Sequence, residues 1–150
     1  MIQRKQTVYL ILALLCAVVC LCMPLAGADV NGASAATISN FGFDGDDAPH
    51  IAWTWSLGAV LVLSCVINVC TIVKFNNRRL QSRLCVLNIM LMVVWYLILA
   101  LHHFVLQGGG SAMHIRFASV LPFITIVLYV MARNGIMADE RLVRSADRIR

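Results

Sequence analysis

The side chains in this 150-residue chain best suited to holding a metal are four histidines, His50, His102, His103 and His114, with Asp44, Asp46 and Asp47 close to the first of them. Neutral imidazole and carboxylate suit zinc or a related divalent ion. A haem iron would need two imidazoles facing each other across a pocket. His102 and His103 are adjacent and point about 100° apart around a helix, so only one of them can serve. The competing reading places all four histidines at a membrane–water boundary, hydrogen-bonded to water and headgroups. Asp44-Gly-Asp-Asp47 lacks the alternating ligands and the distant glutamate of an EF-hand and reads as a solvated acidic loop. Thiol–disulfide chemistry needs Cys-x-x-Cys or an equivalent outer pair, and Cys20-Leu-Cys22 has the wrong spacing. The sequence holds no HExxH, and Gly108-Gly-Gly110 lacks the Lys-Ser/Thr of a phosphate-binding loop. No cofactor is expected.

A second set of polar residues lies inside apolar runs. Ser64, Asn68 and Thr71 repeat at i, i+4 and i+7, and Asn88, Met92, Trp95, Leu99 and His102 form a matching stripe on the next run. Asn68 and Asn88 fall at comparable depth and are expected to hydrogen-bond to each other across a hairpin. Such contacts between helices in lipid are worth about 0.6 kcal/mol each; a substrate contact is the alternative. The interiors of the runs carry no Asp, Glu, Lys or Arg. Ion-coupled carriers generally need an ionisable relay at depth, which argues against a secondary transporter acting alone.

The elements that must position these residues follow from composition. Hydrophobic residues make up 61% of the chain and charged residues 13%, with a mean hydropathy of +0.84, whereas soluble domains have about 45–50% and about 25%. The six cysteines all lie within or beside apolar runs and read as small membrane-embedded residues rather than a disulfide framework. The net charge of +5 does not point to nucleic acid. Its cations cluster beside apolar runs: Arg4 and Lys5; Lys74, Arg78, Arg79 and Arg83; Arg133, Arg141, Arg144, Arg148 and Arg150. Arg116 alone falls outside these clusters. This is the positive-inside pattern, and it predicts both termini and the loop 74–83 in the cytoplasm.

The expected fold is an all-α membrane protein, a single domain over 1–150 with four transmembrane helices in an up-down bundle. The spans are read at about 8–25, 51–73, 84–106 and 115–132, with outer loops at 27–50 and 107–114. A signal peptide is the rival reading of the first span, because Ala26-Gly27-Ala28 resembles a cleavage site, although the apolar run is long for one. Trp53 and Trp55 mark the outer end of the second span. Pro122 is expected to kink the fourth. The tail 133–150 reads as a short amphipathic cytoplasmic helix, with Glu140–Arg144 and Asp147–Arg150 pairs and arginines facing anionic headgroups.

The start Met1-Ile-Gln-Arg-Lys-Gln-Thr-Val-Tyr-Leu10, the four apolar runs and the ending Asp139-Glu-Arg-Leu-Val-Arg-Ser-Ala-Asp-Arg-Ile-Arg150 together resemble a family of small bacterial membrane proteins, mostly from Bacteroidota, known as domain of unknown function 4293. The resemblance implies four helices, residence in the inner membrane and cytoplasmic termini. It implies no activity. The functional expectation is an inner-membrane protein without catalysis of its own, acting as an accessory, assembly or regulatory subunit with a membrane-protein partner. The alternatives are a small transporter or channel component acting as a homo-oligomer, and an outward-facing metal or haem binder.

Overall fold

Long runs of Leu, Val, Ile, Met and Cys with few glycines or prolines form four helices in a computed structural model that describes residues 3–30, 33–44, 55–74, 77–108 and 112–147. These are α1 (Gln3–Cys22), α2 (Trp55–Val73), α3 (Arg78–Gly108) and α4 (Leu121–Asp147). Helix α1 packs on α2 and α4, and α3 packs on α2 and α4. Each helix turns one stripe inward at alternating three- and four-residue spacing. On α1 the stripe is Leu10, Ala13, Ala17 and Cys20, and on α3 it is Cys85, Asn88, Met92, Trp95, Leu99 and His102. The outer faces are apolar as well, with Leu15, Val66, Leu97 and Val127 exposed. A helix that is hydrophobic all round belongs either in a large core or in a membrane. Three segments, Trp55–Val73, Arg78–Phe104 and Phe117–Val143, are long and apolar enough to cross a membrane, while the apolar part of α1, Gln6–Cys22, is shorter.

The fold is not wholly helical. The segments read as outer loops contribute four short strands, β1 (Ala26–Val30), β2 (Ala33–Ile38), β3 (Phe43–Asp44) and β4 (Ala112–Ile115), which form one antiparallel sheet in the order β3-β2-β1-β4. Ala26 stands opposite both Ile38 and Ile115, and a bulge separates Ala28 from Asp29. Ala26 and Ile38 are fully buried within the same apolar core as the helix stripes, so this end of the β1–β2 pair is seated on the helix ends. Sheets are able to pack in this way because side chains alternate between faces.

Three further expectations change. The basic stretch 74–83 is mostly helix. Asn77 precedes α3, its carbonyl accepting from the Gln81 N–H at 3.0 Å, so Arg78, Arg79 and Arg83 lie in the first turns of α3. The amphipathic tail is no separate helix, because α4 runs unbroken through Arg133-Asn134-Gly135 to Asp147. Pro122 does not kink the fourth helix. A 3-10 turn at Phe117–Val120 leads into α4, which places Pro122 in the first turn, where its missing N–H has no intrahelical partner to lose.

Candidate functional site

The polar residues inside the helices gather where all four meet. Ser64 Oγ donates to Asn88 Oδ1 at 2.9 Å, joining α2 to α3. Asn68 Nδ2 donates to the Leu10 carbonyl at 3.2 Å, joining α2 to α1. The expected Asn68–Asn88 bond is therefore replaced by two others, because α2 presents Ser64 to α3 and Asn68, one turn further on, to α1. Tyr129 of α4, which the sequence reading missed, is fully buried beside Ser64 and Asn68. Thr71 turns back on its own helix, its Oγ1 donating to Ile67 O at 2.7 Å.

At the sheet end, Asn40 in the β2–β3 connection is fully buried and serves three helices. Its Nδ2 donates to the Cys20 carbonyl at 2.6 Å, its Oδ1 accepts from Trp95 Nε1 at 3.4 Å, and its backbone carbonyl accepts from the Gly58 N–H at 3.0 Å. Gly58 permits this approach, since a Cβ there would lie 2.7 Å from the Asn40 carbonyl oxygen. The β4 side is tied down too. The Arg116 N–H and Ser119 Oγ both donate to Leu25 O at 2.9 Å, and Tyr96 Oη donates to Ser119 O at 2.7 Å. In the sequence the sign of this anchoring is the apolar Ile38 near Asn40 in a largely small and polar segment.

At the opposite end, Gln6 Nε2 donates to Asp139 Oδ2 at 2.6 Å with both residues buried, clamping α1 to α4. Gly135 sits against the Gln6 side chain and leaves room for it. Arg78 Nη1 donates to the Asp139 carbonyl at 3.3 Å, and Arg79 pairs with Glu140 at 3.0 Å, so α3 is joined to α4 as well. Glu140 thus reaches across to α3; the pairing with Arg144 expected along its own helix falls on a side chain outside the described ones. Lys74, Arg83, Arg133 and Arg141 are exposed at this end. Arg4 and Lys5 fall in the first turn of α1 and Arg144 near the end of α4, while Arg148 lies outside the described residues.

Among the described residues the histidines do not assemble into a ligand set. His102 is buried near the C-terminal end of α3, its Nδ1 2.8 Å from the Ile98 carbonyl, which assigns the ring proton to Nδ1. His103 is partly buried, His114 is exposed on β4 opposite Gly27, and His50 lies outside the described residues. Among the described residues no group of three His, Cys, Asp or Glu is arranged to hold a metal ion. The six cysteines are free thiols; Cys20 and Cys85 are buried, and Cys20 Sγ donates to Ala118 O at 3.5 Å.

Four mutually packed helices with apolar outer faces, a strand cap at one end and a basic end opposite define a helical protein with the features of a multi-span membrane protein. The chain belongs to the family described as domain of unknown function DUF4293, which it matches over residues 2–149. No curated protein and no solved structure matches it.

Proposed function

We propose that this is a four-span protein of the bacterial inner membrane, with both termini cytoplasmic, that acts as a non-catalytic accessory, assembly or regulatory subunit for another membrane protein. The orientation is supported by the gathering of Lys74, Arg78, Arg79, Arg83, Arg133 and Arg141 at the end away from the sheet. Cations of this kind favour the cytoplasmic side and gain about 1 kcal/mol each from anionic headgroups. The binding role rests on one observation: the sheet is a preformed surface, assembled from two distant segments and pinned by Asn40 to three helices. A rigid element offers a partner its contacts without first paying an ordering cost. Its outermost strands, β3 and β4, also offer edges to which a partner strand can add. The interhelical polar groups serve cohesion in this reading, and nucleic acid has no place in it.

The test is purification from native membranes in mild detergent after photo-crosslinking from position 114 or 116. The reading expects a second membrane protein in constant stoichiometry, crosslinked through β4. A chain that purifies alone and forms no crosslink counts against it.

A further inference from the structure

The crossing of the four helices contains more hydrogen-bonding capacity than the protein itself uses. Ser64 is bonded to Asn88, and Asn68 to the Leu10 carbonyl. Asn68 Oδ1, Asn88 Nδ2 and Tyr129 Oη are left without a protein partner, and all three residues are fully buried. Reorienting the amides does not remove the deficit. Turning Asn68 would set its oxygen against the Leu10 carbonyl, and turning Asn88 merely exchanges an unpaired donor for an unpaired acceptor. Asn88 is bonded to Ser64, Asn68 lies one turn further along α2, and the Tyr129 side chain is buried beside Ser64 and Asn68 with no protein hydrogen bond of its own.

Hydrocarbon cannot satisfy such groups, so leaving one unmet within a bilayer is costly. Folded proteins meet this situation with an internal water making about three hydrogen bonds. We propose that one water molecule is bound at this crossing, accepting from Asn88 Nδ2 and Tyr129 Oη and donating to Asn68 Oδ1. The capacities match. A water has two lone pairs, which take the two donors, and two hydrogens, the second of which can reach the free lone pair of Ser64 Oγ. With Asn68 also held by Leu10 O, the water completes a polar junction that involves all four helices.

An experimental structure of the wild-type chain in lipid, at a resolution that shows ordered solvent, tests this directly. The expected result is a solvent peak within hydrogen-bonding distance of Asn68 Oδ1, Asn88 Nδ2 and Tyr129 Oη. A direct bond from Tyr129 Oη to Asn68 or Ser64, with no peak between the groups, overturns it. Hydroxyl-radical labelling by X-ray radiolysis gives a second readout on the same chain, because a bound water generates the radical in place. Oxidation of Tyr129 despite its full burial is expected, and an unmodified Tyr129 overturns the proposal.

Discussion

Replacing Asn40 with alanine removes the residue that pins the sheet to three helices, and the structure allows the cost to be worked out. Asn40→Ala leaves two buried groups without partners. One is the Trp95 indole N–H, whose bond at 3.4 Å is already long. The other is the Cys20 carbonyl, whose bond at 2.6 Å is short. An unsatisfied buried group costs about 1–3 kcal/mol, so the indole belongs at the lower end and the carbonyl nearer the middle. The expected loss is about 3 kcal/mol, to which both partners contribute. The bond from the Gly58 N–H to the residue 40 carbonyl is backbone and survives the change. Equilibrium unfolding in mixed micelles measures the loss, with Phe41→Ala as control, since Phe41 is next in sequence but 55% exposed. If Asn40→Ala is as stable as the wild type, or no less stable than Phe41→Ala, the sheet is not held in the manner described.

Three other outcomes follow from the same structure. Gln6→Leu strands the buried Asp139 carboxyl and should destabilise by about 2–3 kcal/mol in the same assay; Asp139→Asn, which keeps the size and an acceptor, should be markedly milder. Gly58→Ala would set a methyl 2.7 Å from a backbone oxygen, whereas a Cβ at Gly42 meets nothing within 4 Å. The first should cost about 1–3 kcal/mol and the second should be neutral by thermal unfolding; equal effects would contradict the close approach of the β2–β3 connection to α2. Cysteines introduced in place of Arg79 and His114 should react with impermeant maleimide from the cytoplasm and from the outside respectively, and the reverse pattern would invert the proposed topology.

The helices were legible in the sequence because a long apolar run with few glycines or prolines reads as a helix, but the run and the helix do not end at the same residues. Helix α3 has 31 residues, about 46 Å at 1.5 Å per residue, against a hydrocarbon core of about 30 Å. Arg78, Arg79 and Arg83 mark where the apolar segment stops. They do not mark where the helix stops, since arginine, leucine and glutamine are good helix formers. The same confusion of boundary with terminus hid the continuity of α4 through Arg133. The sheet was hidden for a different reason. Its strands Ala26–Val30 and Ala33–Ile38 are built largely from Ala, Gly, Asp and Ser, residues with little preference for strands. What orders them is their pairing with each other, the pairing of Ala26–Val30 with Ala112–Ile115, more than eighty positions away in the chain, and the burial of Ala26 and Ile38 on the helix ends.

Between these extremes lies the polar junction. Spacing alone put Ser64, Asn68 and Thr71 on one face of α2, and all three are buried. Spacing could not say which neighbour each would meet, because α2 packs between α1 and α3. A step of four residues carries a side chain 40° around the helix as well as about 6 Å along it. That rotation delivers Ser64 to Asn88 and Asn68 to the backbone of α1, and it leaves room at the crossing for Tyr129 from the fourth helix. The hydrogen bonds that distinguish this bundle from any other set of four apolar helices therefore depend on the order in which the helices pack, a property no single segment carries.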